Sequence, residues 1–160
     1  LKENKPTNLG EFKLEIGKIE ILKEGTDITL VSYGSTLRLV QEAAIELLKF
    51  GIDAEVIDVQ SLLPFDTKME IKKSIAKTNR VVIIDEDVPG GGTGYILQQL
   101  LDVQEIFPLL DSSPQTISAK AHRPAYGSDG DYFSKPSLDD IIEKVYEIMH
   151  ESNPTDYPEI

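Results

Sequence analysis

The 160-residue chain is 40% hydrophobic, enough for one domain with a sizeable core, and its 28 acidic against 16 basic residues give a net charge of −12. That balance argues against nucleic acid and anionic membranes, which attract cationic surfaces, and leaves a basic protein partner open. The absence of cysteine excludes disulfides, thiolate catalysis and cysteine metal sites and fits the expected cytoplasmic location; no apolar run approaches the roughly 20 residues of a membrane span, no signal peptide is read, and Leu1 in place of methionine points to a piece of a longer chain.

Along the chain, apolar runs rich in β-branched residues alternate with helical periods. Residues 1–15 are polar, with Pro6, Asn8 and Gly10, and read as an incoming linker. A short strand is predicted over 18–22. "DITLVSYG" then carries a buried-strand run, Ile28, Thr29, Leu30 and Val31, that stops at Gly34. From Ser35, Leu37, Val40, Ala44, Leu47 and Leu48 recur on one helical face, with Gly51 just past the end. "AEVIDV" is the next strand. Pro64 imposes a turn, and Asp66 is placed to cap a helix reaching Thr78 with Ile71 and Ile75 inward. Val81–Ile84 make another strand. A helix follows from about Gly94, with Ile96, Leu97, Leu100 and Leu101 on its apolar face and Pro108 limiting its end. "QTISAKA" is a weaker strand. In the last helix Ser137 and Asp140 form a capping box, and Leu138, Ile141, Ile142, Val145, Ile148 and Met149 share one stripe. The prolines of "ESNPTDYPEI" predict an extended acidic tail over 151–160, which leaves 16–150 as the folded domain.

This alternation predicts an α/β domain with a mostly parallel sheet and helices on both faces, whose ligands would lie at the carboxyl ends of the strands. "VVIIDEDVPGGGTGYIL" lies there. A phosphate cradle does not fit: "GGGTG" lacks the lysine of a P-loop, the dinucleotide pattern is not met by Gly90, Gly91, Gly92 and Gly94, and Asp85, Glu86 and Asp87 would repel a phosphate. A divalent cation fits little better, because consecutive strand residues point to opposite faces and three acids in a row do not converge. The remaining reading has the acids solvating a strand end while the glycines allow a tight turn and close helix–sheet packing. The segment also resembles the phosphoacceptor strand of response-regulator receiver domains. Those need an acidic pair after their first strand, where this chain has "VSYGST". An independent small-ligand or phosphoryl-receiver module built on Asp85, Glu86 and Asp87 is the alternative reading.

"GTDITLVSYGSTLRLVQEAA", "AEVIDVQSLLPFD" and "KTNRVVIIDEDVPGGGTG" occur in the order and spacing of the transketolase C-terminal domain, and together they cover almost the whole chain. The version they resemble is the beta part of the thiamine-diphosphate-dependent 2-oxo acid dehydrogenases of pyruvate or branched-chain type, which decarboxylate a 2-oxo acid and pass the acyl group to a lipoyl-bearing acyltransferase. The resemblance implies a three-layer α/β/α sandwich with a mixed, mostly parallel sheet. It also implies an assembly and docking role, with thiamine diphosphate and magnesium held by other domains or subunits of a homo-oligomer or heterotetramer. No catalytic, cofactor or metal residue is then expected in this segment. "GSDGDYF" reads Asp129-Gly130-Asp131 rather than the Gly-Asp-Gly of the family's diphosphate motif and lacks its downstream asparagine.

Candidate interface residues follow from the same resemblance and from charge. Glu86 sits in the strand-end turn. "AKAHRPAYGSDGDYFSKP" puts His122, Arg123 and Tyr126 on one long loop, where beta-type relatives usually carry an acid near position 122 and a proline matching Pro124; the His-Arg pair departs from that pattern. In the family the beta C-terminus and its terminal carboxylate can meet a basic module of the acyltransferase. Here Asp156, Glu159 and the Ile160 carboxylate are the candidates in the tail, with Asp139, Asp140 and Glu143 as the alternative on the last helix. His150, just past the expected end of that helix, suits the helix dipole and is assigned no chemistry.

Overall fold

A computed structural model of the chain describes residues 7–8, 10–122 and 130–159. Five strands form one sheet in the order β1-β3-β2-β4-β5: β1 Glu20–Lys23, β2 Ile28–Ser32, β3 Ala54–Asp58, β4 Val81–Ile84 and β5 Gln115–Ile117. β1 runs antiparallel to β3, and the other three pairings are parallel. The helices are α1 Leu37–Leu47, α2 Glu70–Thr78, α3 Gly92–Gln98, α4 Gly130–Ser134 and α5 Leu138–Ser152.

The central strands are buried on both faces, so their side chains split by period 2 into two cores. Ile28, Leu30, Val56, Val82 and Ile84 pack with Val40, Ala44 and Leu47 of α1 and Ile141, Val145 and Ile148 of α5. Val31, Ile57, Val81 and Ile83 face the other way, against Ile71 and Ile75 of α2, Ile96 of α3 and Leu100 beyond it. The result is the three-layer α/β/α sandwich with a mixed, mostly parallel sheet that the sequence predicts. None of the described helices is long and apolar enough to cross a membrane.

Several boundaries move. β1 lies at 20–23, not 18–22. α2 begins at Glu70 through a left-handed Met69, yet Asp66 still caps it: its Oδ1 accepts the Glu70 N–H and its Oδ2 the Ile71 N–H, both at 2.9 Å. α3 starts at Gly92, two residues before the expected Gly94, and runs on into a π turn over Gln99–Val103. The expected long loop after β5 contains the helical turn α4; Arg123, Tyr126 and Asp129 lie outside the described residues.

The tail is corrected outright. Residues 151–159 do not form an extended tail: α5 continues to Ser152, and Asn153 closes a turn by donating to Asp156 Oδ2 at 2.7 Å and accepting the Tyr157 N–H on its carbonyl at 3.0 Å. Tyr157 then stacks edge-on against Tyr146, and the Tyr146 hydroxyl donates to the Pro158 carbonyl at 2.8 Å. The prolines fit this turn as well as an extended chain, and the aromatic contact decides between them.

At the amino end of the sheet one side chain joins distant segments. Arg80 donates to the Asp27 carbonyl at 3.1 Å, to Asp111 Oδ2 at 2.6 Å and to the Ser152 hydroxyl at 3.1 Å.

Candidate functional site

At the carboxyl ends of the strands the three consecutive acids take three different environments, as a strand end dictates. Asp85 does not solvate the strand end; it is only 4% exposed. Its Oδ2 accepts the Tyr33 hydroxyl at 2.5 Å and its Oδ1 accepts the Glu86 N–H at 2.8 Å. Burial, then the bond to Asp85 and the negative charges of Asp85, Asp87 and Glu86, holds the Tyr33 hydroxyl well above the ordinary tyrosine range. A phenol so held keeps its proton and cannot serve as a base near neutrality. Glu86 reaches away to Lys135 at 3.0 Å, and that lysine, helped by Ser35, lowers its carboxyl below the usual range. Asp87 caps its own turn, accepting the Val88 N–H at 2.8 Å.

The glycines fit around this cluster. A Cβ on Gly92 would overlap the Tyr33 hydroxyl and come within 2.6 Å of Asp85 Oδ2, and one on Gly91 would overlap the Asp87 carboxylate. Gly90 has φ +85°, a left-handed turn position. The strand-end turn is therefore an internal latch. It does not suit a phosphoacceptor, which needs an accessible aspartate with a lysine beside it; the lysine here is engaged by Glu86. Among the described residues no three of His, Asp and Glu converge on a point where a metal ion could sit.

The other candidates lie on or near α5. Asp140 is consumed by the capping box, accepting the Ser137 N–H at 2.7 Å while its own N–H donates to Ser137 Oγ at 3.1 Å. Asp139 and Glu143 are exposed. The folded tail brings Glu159 beside Glu143, Glu147 and Glu151 around a groove of about 590 Å³ whose apolar wall is Phe50, Ile142 and Tyr146. His150 shares that groove and donates from Nδ1 to the Tyr157 carbonyl at 2.7 Å. Asp156 stays with Asn153 in the turn. His122 is exposed after β5, its N–H donating to the Lys120 carbonyl. Ile160 lies outside the described residues.

Sequence reasoning missed Tyr33, Lys135 and the buried Glu55. Glu55 is fully buried with one carboxylate oxygen unpaired, and the other accepts from Lys77, which also reaches Glu24 at 2.8 Å. The signal available for Glu55 was a charged residue within a run of strand-forming apolar residues.

The family of this doubly covered α/β domain with its latched strand-end turn can be stated. Residues 17–133 match the model of "Transketolase, C-terminal domain", so the chain belongs to the transketolase C-terminal domain family. It is 36% identical over 149 residues to the pyruvate dehydrogenase E1 component subunit beta of Mesostigma viride, covering 93% of this chain and 44% of that protein. It is also 36% identical over 131 residues to the mitochondrial pyruvate dehydrogenase E1 component subunit beta-2 of Oryza sativa subsp. japonica, covering 82% and 34%. Among solved structures, a split-gene transketolase described as an inactive beta4 tetramer matches with a TM-score of 0.67 and 25% identity over 87% of this chain and 44% of that one. The chain thus spans less than half the length of these relatives.

Proposed function

We propose that this chain is the C-terminal assembly and partner-docking domain of a thiamine-diphosphate-dependent 2-oxo acid dehydrogenase component, acting on pyruvate or a branched-chain 2-oxo acid in the cytoplasm. The observation that carries the reading is the similarity to pyruvate dehydrogenase E1 beta subunits along nearly the whole domain. The site geometry agrees with it: the carboxylates of the strand-end turn are spent on Tyr33, Lys135 and backbone amides. Thiamine diphosphate and magnesium belong, in this reading, to other domains or subunits of a homo-oligomer or heterotetramer, and the segment alone is catalytically silent. The acyl group passes to a lipoyl-bearing acyltransferase, whose basic docking surface would meet the acids of α5 and the folded tail.

The test is decarboxylation by the full-length enzyme across pyruvate, 2-oxoglutarate and branched-chain 2-oxo acids with thiamine diphosphate and magnesium. Turnover of pyruvate or a branched-chain acid is expected. Turnover of none of them, or micromolar binding of thiamine diphosphate and magnesium to residues 1–160 alone, would refute the reading.

A further inference from the structure

β1 is a four-residue edge strand, and its ladder on β3 is interrupted by a shift of register between Ile21 and Lys23. Each rung therefore counts in how firmly it is held. The first rung sets Glu20 directly opposite Asp58, and two carboxylates on one face of an antiparallel pair oppose the pairing when both are ionised. Gln60 bridges them. Its N–H donates to Asp58 Oδ1 at 3.0 Å and its side-chain amide to Glu20 Oε2 at 2.9 Å. It does so from φ +57°, a left-handed conformation that a residue other than glycine rarely adopts.

The surrounding elements bring no cation to either acid. Lys18 borders Glu20 without forming an ion pair with it. Ser32, the partner of Asp58 on β2, is uncharged and donates its hydroxyl to the Ile84 carbonyl at 2.9 Å. On α1, Val40, Ala43 and Ala44 are turned inward, whereas Arg38 and Glu42 are exposed. Burial raises the Asp58 carboxyl above its ordinary range; the Gln60 N–H opposes that shift and the charge of Glu20 adds to it. We propose that Glu20 and Asp58 are a proton-operated catch on β1: ionised together they loosen the edge strand, and one proton shared between them fastens it to the sheet. The proton comes from solvent to Asp58, whose carboxyl then donates to the Glu20 carboxylate, a short charge-assisted bond in place of a repulsion. A raised carboxyl binds its proton more readily in the folded chain, so the catch is closed below the unfolded value of about 3.9 and opens as pH rises through the folded one. The preceding chain enters the sheet through β1, and the catch sets how firmly it is anchored there.

Hydrogen exchange of the full-length protein tests this, read by mass spectrometry on peptides spanning β1 and β4 and corrected for the intrinsic pH dependence of exchange. Protection of β1 relative to β4 should rise about two- to fivefold from about pH 7 to about pH 4.5. Glu20→Gln and Asp58→Asn keep the acceptors that Gln60 uses and remove one charge each. Both, with folding verified by circular dichroism, should slow β1 exchange near neutrality by a similar factor and flatten the pH profile. A β1 whose protection stays flat or falls relative to β4 in acid, or either variant exchanging β1 as fast as the unaltered protein near neutrality, would overturn the proposal. Neither result depends on the decarboxylase reading.

Discussion

Tyr33 donates its phenolic hydrogen to Asp85 across 2.5 Å, joining the residue after β2 to the residue after β4 over 52 positions of sequence. Tyr33→Phe leaves a buried carboxylate oxygen without its donor, and the expected loss of stability is about 1–3 kcal/mol. The sign of the pH dependence follows from the raised pKa of the folded-state hydroxyl. Its contribution is complete below the unfolded value of about 10 and is lost as pH rises toward the folded one. Urea unfolding from pH 7 to 11 should therefore show the unaltered chain weakening more steeply at the alkaline end than Tyr33→Phe. Parallel curves would contradict the latch.

The glycines should separate by position. Gly92→Ala puts a methyl onto Tyr33 and Asp85, and Gly90→Ala forces a left-handed φ, so each should cost on the order of 1 kcal/mol or more. Gly94→Ala meets nothing within 4 Å in the first turn of α3 and should be neutral or stabilising. Thermal unfolding of the three variants distinguishes a shaped turn from general glycine flexibility, which would make them alike.

Glu86→Gln should cost less than about 1 kcal/mol, because the pair with Lys135 is nearly half exposed on both sides. The carboxyl is lowered in the folded state, so what it contributes is present above the unfolded value of about 4.3 and disappears as pH falls below it. The two proteins should converge in acid and in high salt, and a difference that persists at pH 3 would place its cause outside the ion pair.

Lys77→Met strands the buried Glu55 carboxylate, and with the lysine itself partly exposed the expected cost is roughly 2–3 kcal/mol. Glu24→Gln removes only the exposed partner and should be near neutral. Chemical denaturation of both variants, together with Lys77→Met/Glu55→Gln, should show the double variant recovering part of the loss. No recovery would mean that the lysine stabilises through its packing.

Removing residues 154–160 deletes the turn that carries Tyr157 and Glu159. The proposed docking predicts that binding of the full-length protein to a lipoyl-bearing acyltransferase is salt-sensitive and weakens several-fold in the truncated form. Unchanged affinity would leave α5, through Asp139 or Glu143, as the docking element.

The elements legible in the sequence are those whose signals are local. α5 announces itself through Ser137 and Asp140 at one end and an apolar stripe along its length; β2 and β4 do so through uninterrupted apolar or β-branched runs. Illegible features depend on partners that a local pattern does not reveal. The start of α3 at Gly92 contradicts glycine's poor helix propensity and makes sense only once Tyr33 and Asp85 occupy the space a side chain would need. The tail turn is decided by Tyr146, eleven residues before Tyr157 and on the neighbouring helix. Asp85 reads as one of three solvated acids because nothing in "DEDVPGG" records that a tyrosine just past another strand donates to the first.

Arg80 makes one position in the chain unusually intolerant of a change that is often harmless. Its three bonds leave a single flat head in different directions, toward a loop carbonyl, an acid before β5 and the hydroxyl at the end of α5. A lysine ammonium at the same place keeps the charge but lacks the fixed fork, so it cannot be expected to hold all three. Substitution there would loosen the seam between the last helix and the sheet while the charge of the protein stayed the same. Variation between arginine and lysine at this position in descendants of this chain should therefore be rare, whatever partner the domain serves.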